Sequence, residues 1–300
     1  MNKLNNNVVD VNIVTKTSKA TGETFTYEEN VYKNDIKSKE NSIEKLKRDS
    51  IMHEFIGKEI GRFFFYFYNN MDKIEIPLAY KTRFIYLSSF LSYNEEQLVY
   101  KENGRGNVYF RIKRDKMFEL LNLSEVEFKR TTSSLIKAKV MYRDGKYYNI
   151  SAEYSIYGEN KNTNEDYTRV FTDNIRKLYN QTLPKNHKQL YYLFKLLPYI
   201  NKQSNIICTN VDECQIKNVK PLTQKEIMKI LDLDISNSSK WLKSMMKFKI
   251  DDNFVIMKNT INNDISCIII NPIVYYGGCN IDNLQYIIGL FDMAKELETN

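Results

Sequence analysis

The sequence predicts an α+β protein, predominantly helical, in which one structural unit occurs twice. Residues 223–247 have the pattern of a helix, a short turn and a second helix, because apolar residues recur at helical spacing on both sides of the turn. Residues 112–137, about 110 positions upstream, repeat this pattern. The apolar positions correspond one by one, pairing Ile112 with Leu222, Met117 with Ile227, Leu121 with Leu231, Leu123 with Leu233, and Leu135 with Met245.

The similarity extends beyond the helix pair in both directions. Residues 86–93 match 192–199 upstream, and residues 156–158 match 275–277 downstream. The offset between the copies changes only across connections, where insertions are tolerated. Each unit is therefore predicted to run helix, strand, helix, turn, helix, β-hairpin. This order predicts tandem winged-helix domains, in which a helix-turn-helix precedes a hairpin wing and the second helix can enter the DNA major groove.

Each predicted wing has its own turn chemistry. In the first, Asp144 and Gly145 stand between β-prone runs and predict a type I′ turn, because both residues tolerate the positive φ that it requires. In the second, strands at 254–258 and 267–276 are joined by a longer polar loop. Pro272 restricts its strand to a sheet edge or a bulge.

The two ends of the chain differ from the repeats. Near the start, Val9, Val11 and Ile13 alternate with polar residues, as do Phe25 and Tyr27, which predicts a small β-hairpin. The predicted order is a polar N-terminal arm with this hairpin at 1–50, a first winged-helix domain at 51–158, a polar linker at 159–166, a second winged-helix domain at 167–279, and an amphipathic helix at 280–300.

The predicted C-terminal helix has an apolar stripe that must be covered. Asn280 or Asp282 is the expected cap at its start. Two alternatives remain open for the stripe: it packs on the second domain, or it pairs with a second copy of the chain in a homodimer. The stripe consists of Leu284, Ile287, Ile288 and Phe291.

Charge favours an anionic partner for the repeated units. The chain has 300 residues, a length typical of about two domains, and a net charge of +7. Residues 76–157 carry 14 basic and 9 acidic side chains, and residues 167–279 carry 16 and 9, so the repeats hold the whole excess. A basic surface speeds association with nucleic acid. Charge alone would also suit an anionic membrane surface.

Several classes of protein are disfavoured. The chain begins without a charged-then-apolar leader and has no apolar run of about 18 residues, so we expect a cytoplasmic protein with no membrane contact. Gly104-Arg105-Gly106 lacks the Lys-Ser/Thr of a phosphate-binding loop. We therefore expect no catalytic residue, cofactor or metal. Zinc ligand spacing is absent from the four cysteines, predicted to be free thiols, and the two histidines: Cys208, Cys214, Cys267, Cys279, His53 and His187.

The second helix of the second unit is the stronger candidate for reading DNA. Its apolar residues Trp241, Leu242 and Met245 must face the core, and Asp234 is the expected N-cap. Asparagine can pair with adenine, and lysine can contact guanine or phosphate. The alternative is a solvated face on a winged helix that binds protein. The predicted base contacts are Asn237 and Lys240, the predicted phosphate contacts are Lys243 and Lys247, and Ser236 and Ser239 complete the DNA-binding face.

The corresponding helix of the first unit is less favourable. Phe128 and Leu135 are predicted to point inward, and Glu125 and Glu127 in the first turn should repel phosphate, although glutamate can accept from cytosine. The alternative function of this copy is packing or dimerisation. Exposed positions are expected at Lys129, Arg130, Ser133 and Lys137, with Arg143 and Lys146 at the wing tip as minor-groove or phosphate contacts.

Residues 171–179, 187–201 and 270–277 resemble winged-helix replication proteins of plasmids and phages from low-GC Gram-positive bacteria. The tandem arrangement is similar to that of the two-winged-helix initiators of theta-replicating plasmids. The resemblance covers residues 165–290 and extends to the first unit by architecture only, where the acidic second helix departs from the pattern. It implies binding to repeated origin sequences and recruitment of host replication proteins, without nicking or nucleotide hydrolysis.

We therefore expect a double-stranded DNA-binding protein that initiates plasmid or phage replication. The same architecture also serves transcriptional regulators of mobile elements, and a winged-helix adaptor that binds only protein is the alternative from another class.

Overall fold

The computed structural model describes residues 8–17, 24–32, 61–102, 108–160, 166–261, 265–278 and 280–299. The chain divides into two compact units, Met1–Ile56 and Gly57–Asn300. In the first unit, strands β1 (Val8–Thr17) and β2 (Thr24–Tyr32) pair antiparallel where the sequence predicts a hairpin. The second unit is a mixed α+β structure with small antiparallel sheets.

The first half of the larger unit contains the upstream helix pair. Asn122 ends the first helix of the pair in the left-handed conformation, at φ 47°. The second helix begins at Ser124, whose side chain accepts a hydrogen bond from the backbone N–H of Glu127. The elements are β3 (Phe63–Tyr66), α1 (Tyr68–Asp72), α2 (Leu78–Ser88), β4 (Val99–Lys101), β5 (Tyr109–Arg111), α3 (Arg114–Leu121), α4 (Glu125–Lys137), β6 (Met141–Asp144), β7 (Tyr147–Ile150) and β8 (Ser155–Ile156).

The second half has a helix pair with its own capping residues, but its described residues form no strands equivalent to β4 and β5, and two hairpins follow the pair. Thr223 and Glu226 form a reciprocal capping box, and Asp232 has a φ of 55° at the position that matches Asn122. The elements are β9 (Thr168–Phe171), α5 (Thr172–Gln181), α6 (His187–Leu196), α7 (Gln224–Ile230), α8 (Ser238–Met245), β10 (Lys249–Ile250), β11 (Asn253–Phe254), β12 (Ile256–Ile261), β13 (Ile265–Ile270) and α9 (Ile281–Thr299).

The two halves meet through equivalent elements, along a seam formed by β3, β9, α2 and α6. Strand β3 pairs antiparallel with β9, from Phe63 opposite Phe171 to Tyr66 opposite Thr168, and pairs with β8 on its other side. Helix α2 packs on α6, its counterpart.

One hydrophobic core runs through both halves, with Phe84 and Leu87 of α2 in the same cluster as Leu190 and Phe194 of α6. The two predicted domains therefore share a core. Most of the predicted linker, residues 161–165, lies outside the described residues.

A buried arginine connects three helices at the seam. The side chain of Arg83 on α2 is only 2% exposed. Its guanidinium donates to Glu127 Oε1 at 2.7 Å and to Thr131 Oγ1 at 2.6 Å on α4. Its Nε donates to His187 Nδ1 on α6 at 3.3 Å. Since a buried charge is costly unless it is paired, these contacts fix the three helices relative to one another.

The first hairpin differs from the predicted type I′ turn. Asp144 pairs with Tyr147, so the two loop residues are Gly145 and Lys146, and only Gly145 has a positive φ, of 59°. A positive φ at the first loop residue alone is the type II′ pattern, which glycine satisfies at that position. Asp144 instead ends its strand in an ion pair with Arg111 at 2.8 Å.

The second hairpin has a longer first strand and a shorter second strand than predicted. Strand β12 extends to Ile261, which reduces the connecting loop to residues 262–264, outside the described part of the chain. Strand β13 ends at Ile270 because Asn271 turns the chain, donating to the Phe254 carbonyl at 2.7 Å and accepting from the Ile273 N–H at 3.0 Å. The prediction that Pro272 lies in a strand is wrong, since it belongs to this turn.

The apolar stripe of α9 is covered within the chain. Asn280 Oδ1 accepts from the Asn283 N–H at 3.2 Å, as predicted for a cap. Leu284, Ile287 and Phe291 are buried, whereas Ile288 is half-buried. The stripe is therefore not free to pair with a second copy. No helix within the described ranges is long and apolar enough to span a membrane.

His187 should make the stability of the protein depend on pH. Its burial, followed by the charge of Arg83, lowers the pKa of His187 from 6.5 to about 4. The unfolded chain therefore binds a proton below about pH 6.5, whereas the folded chain binds it only near pH 4. This contribution to stability is complete above pH 6.5 and is lost as pH falls towards 4, by about 3 kcal/mol.

We expect His187→Gln to reduce the slope of the unfolding free energy between pH 7 and pH 4.5, measured by urea denaturation. The other histidine, His53, lies outside the described residues. Equal slopes in wild type and His187→Gln would exclude this origin of the pH dependence.

Candidate nucleic-acid interface

Helix α8 has an apolar inner face and a basic outer face, as its sequence pattern predicts. Trp241, Leu242 and Met245 are buried. Ser236 and Asn237 precede α8 in a 3₁₀ turn (Ile235–Asn237) and so do not belong to the α-helix. The six candidate DNA-binding residues of this half are all exposed: Ser236, Asn237, Ser239, Lys240, Lys243 and Lys247.

Asp234 holds the start of this face in place. Its Oδ1 accepts from the Ser236 backbone N–H at 2.8 Å and from the Ser236 hydroxyl at 2.5 Å. These hydrogen bonds lower the pKa of Asp234. The predicted capping role is confirmed, although the element that Asp234 caps is the 3₁₀ turn.

The lysines of this outer face have no acidic partner among the described residues. Lys240, Lys243 and Lys247 form no ion pair within that part of the chain. Asp251 and Asp252 follow this helix in sequence. Asp251 pairs with Lys177 instead, and its Oδ2 accepts from Lys177 Nζ at 2.7 Å. The face therefore presents uncompensated positive charge.

Ile235 is a candidate contact that the sequence analysis did not identify. It is 50% exposed beside Ser236 and Asn237. An exposed aliphatic side chain at the start of a DNA-reading helix can contact the thymine methyl group. The sequence could have indicated Ile235, because it is an apolar residue that lies outside the buried positions of the helical pattern.

The acidic first turn of α4 is neutralised, contrary to the expectation of two free carboxylates. Glu127 pairs with the buried Arg83. Glu125 pairs with Arg114 of α3, and with Lys129 one turn later at 3.4 Å. The expected repulsion of phosphate is therefore largely removed. Pairing with Arg83 and Arg114 is not visible in the sequence pattern of α4, because both arginines come from other helices.

A basic groove lies between α4 and the first hairpin. Its cavity has a volume of about 510 Å³. Arg143 Nη2 donates to the Tyr148 hydroxyl at 2.9 Å, which holds the guanidinium against β7. Four cationic side chains line the groove, and two of them, Arg114 and Lys129, are also paired with Glu125. The lining is Arg114, Phe128, Lys129, Thr132, Ser133, Ile136, Lys137 and Arg143.

The structure thus brings together three predicted contacts, Lys129, Lys137 and Arg143, and adds Arg114, which the sequence analysis missed. Arg130 is exposed on α4 but is not part of the groove lining. Lys146 lies in the hairpin loop, with its Nζ 5.6 Å from the centre of the Tyr147 ring. The Phe128 and Leu135 side chains are buried, as predicted.

The cysteines do not contribute to this interface. Cys208 and Cys267 are buried free thiols, Cys214 is an exposed one, and Cys279 lies outside the described residues. Burial raises the pKa of Cys208 to about 11. Within the described ranges no three His, Cys, Asp or Glu side chains are grouped to hold a metal ion. The Gly104-Arg105-Gly106 segment also lies outside those ranges.

The two acids of the α4 first turn should differ in their effect on stability. We expect Glu127→Ala to lower the free energy of unfolding by about 3 kcal/mol, because it leaves the buried Arg83 without its carboxylate. Glu125→Ala is the matched control and should cost less than about 1 kcal/mol, since its ion pairs lie at the surface. Urea denaturation measures both, and equal losses would contradict the structural role of the Arg83–Glu127 pair.

Comparison with known proteins gave no relative. The chain matches no protein-family profile, no curated protein and no solved structure.

Proposed function

We propose that Gly57–Asn300 is a tandem winged-helix unit that binds double-stranded DNA, and that the protein initiates replication of a plasmid or phage. The architecture is supported by the repeated order of elements. Helices α3 and α4 followed by the hairpin β6–β7 correspond to α7 and α8 followed by the hairpins of the second half. In this proposal α4 and α8 are the recognition helices and the hairpins are the wings.

One observation carries the proposal: both proposed recognition helices expose cations, while the carboxylates beside them are paired with cations or, at Asp234, cap the turn before α8. On α8 the outer face is basic without acid, and on α4 the acids are consumed by Arg83, Arg114 and Lys129. Exposed cations of this kind can neutralise the phosphates of duplex DNA and supply affinity for it. Equivalent helices of a duplicated unit carry them at the same position.

The residues divide into two roles. Asn237 and Lys240 at the start of the second recognition helix are proposed to contact base edges, since asparagine can bind adenine with two hydrogen bonds and lysine can bind guanine. The remaining cations are proposed to contact phosphate or the minor groove: Lys243 and Lys247 in the second half, and Arg114, Lys129, Arg130, Lys137, Arg143 and Lys146 in the first.

Initiation of replication is supported by the resemblance of residues 171–179, 187–201 and 270–277 to plasmid and phage replication proteins. Such a protein acts in the cytoplasm, binds repeated sites at an origin and recruits host replication proteins. Selection of binding sites from random duplex would give the recognised sequence. Repeats of that sequence within or beside the gene would support initiation, and a single copy at a promoter would support a transcriptional regulator instead.

Substitutions on α8 test the DNA-binding proposal directly. We expect Lys240→Ala to weaken binding to the selected duplex by about 1 to 3 kcal/mol, as for loss of a base contact. Lys243→Ala should weaken binding to all sequences alike and reduce the slope of log K against log salt by about one. Fluorescence anisotropy over a salt series measures both quantities.

Lys188→Ala, at an exposed lysine of α6, is the matched control and should bind as wild type. Thermal unfolding should be unchanged in all three variants, because each side chain is exposed. Wild-type affinity and salt slope in both α8 variants would reject α8 as a DNA-binding helix.

The first half is tested by its groove. We expect the triple variant Lys129→Ala, Lys137→Ala and Arg143→Ala to reduce the salt slope by about three if both halves hold DNA at once. An unchanged slope together with normal folding would assign DNA contact to the second half alone.

A further inference from the structure

A second cavity of the larger unit has a different chemical character from the groove of α4. Its volume is about 750 Å³, within the range of small-molecule sites. Lys116 and Leu120 of α3 line it, whereas Arg114 of α3 lines the groove. Since consecutive helical residues are about 100° apart, Arg114 and Lys116 point to opposite sides of α3. The cavity therefore opens on another surface from the proposed DNA-binding face.

The walls of this cavity are aromatic and unusually exposed. Tyr93 is 59% exposed and Tyr109 is 54% exposed, although both are large side chains with an apolar ring. The Tyr93 ring contacts Tyr157 edge-on, with centroids 5.7 Å apart, which fixes its orientation. Phe90 lies buried in the same lining. Tyrosine rings held in this way offer flat faces on which a nucleobase can stack.

Cationic side chains surround these rings. Arg62, Lys101, Lys116 and Arg176 line the cavity, and its lining contains one acid, Asp173. Hydrogen bonding to Tyr157 and Tyr109 raises the pKa of Arg62, so its guanidinium lies beside the exposed Tyr109 ring and the half-buried Tyr157 ring.

Arg176 is held in place before any ligand arrives. Its Nε donates to the Ser89 hydroxyl at 3.0 Å, and its guanidinium carbon lies 4.0 Å from the centre of the Phe90 ring. Its contact with Asp173 is long, at 3.9 Å, and the Arg176 side chain is 33% exposed. Its Nη2 also donates to the Ser89 carbonyl, so one edge of the guanidinium is bound and Nη1 is left to bind an anion.

From these observations we infer that the cavity binds a single nucleotide, with its base on the exposed tyrosines and its phosphate between Arg62 and Arg176. The chemistry requires a planar base joined to phosphate, which a free mononucleotide or a nucleotide within a single strand supplies. This site goes beyond duplex binding, because none of its residues belongs to α4, α8 or the two wings. The two proposals can fail independently.

Calorimetric titration of the full-length protein with AMP, ATP and the oligonucleotide (dT)8 tests the inference. Binding of AMP or ATP as tightly as (dT)8 identifies a free nucleotide as the ligand. Binding of (dT)8 at least tenfold more tightly than AMP identifies a nucleotide within a strand. For whichever ligand binds, Tyr93→Ala should weaken affinity by about tenfold through loss of stacking, and Arg62→Gln should do so by a similar factor through loss of phosphate pairing.

Two matched controls locate the site. Tyr286→Ala removes a tyrosine of similar exposure, 61%, on α9 outside this cavity and should leave nucleotide affinity unchanged. Lys240→Ala should weaken duplex binding alone. Tyr109→Ala provides a second stacking variant if Tyr93→Ala fails to fold. No binding by any of the three ligands, or binding that persists in the Tyr93 and Arg62 variants but is lost in Lys240→Ala, would overturn the inference.

Discussion

The seam between the two halves is the constraint on which the rest of the structure depends. Pairing of β3 with β9 joins the halves through the backbone, and α2 on α6 closes the core over that junction. At the seam the buried Arg83 donates hydrogen bonds to Glu127 on α4 and to His187 on α6. The orientation of α4 is thereby tied to the second half, and the two helix pairs belong to one compact unit.

Ion pairs of this kind explain why α4 presents a basic surface although its first turn is acidic. Each exposed acid of the α4 first turn is paired, Glu127 with a buried arginine and Glu125 with surface cations, while the other cations of α4 keep their charge for solvent. In the second half Lys177 similarly takes up Asp251. Pairing by residues from other elements, more than composition, therefore determines the sign of each surface, and a net charge of +7 understates the local potential.

The sequence predicted those features that depend on neighbouring residues alone. The helical period of residues 223–247 predicted which side chains of α8 are buried and exposed, and the preference of aspartate for helix starts predicted the cap at Asp234. Pairings over long separations were not accessible. Arg83 and Glu127 are 44 residues apart, and no periodicity links β3 to β9 or brings Arg62 and Arg176 to one cavity. The predicted loop of the first hairpin was displaced by one residue, because aspartate and glycine tolerate more than one turn type.

Duplication and the seam together limit how a second copy of this chain can associate. The seam joins β3 to β9 and α2 to α6, which are elements that correspond in the predicted repeat. Here it is made within one chain, and it has become asymmetric: by the correspondence of residues 86–93 with 192–199, the position of Arg83 is occupied in the second half by Gln189. Two buried arginines at the seam would repel each other. Arg83 instead lies against the neutral His187 and donates a hydrogen bond to it. The seam surface is therefore buried within one chain, and association of two chains would have to use another surface.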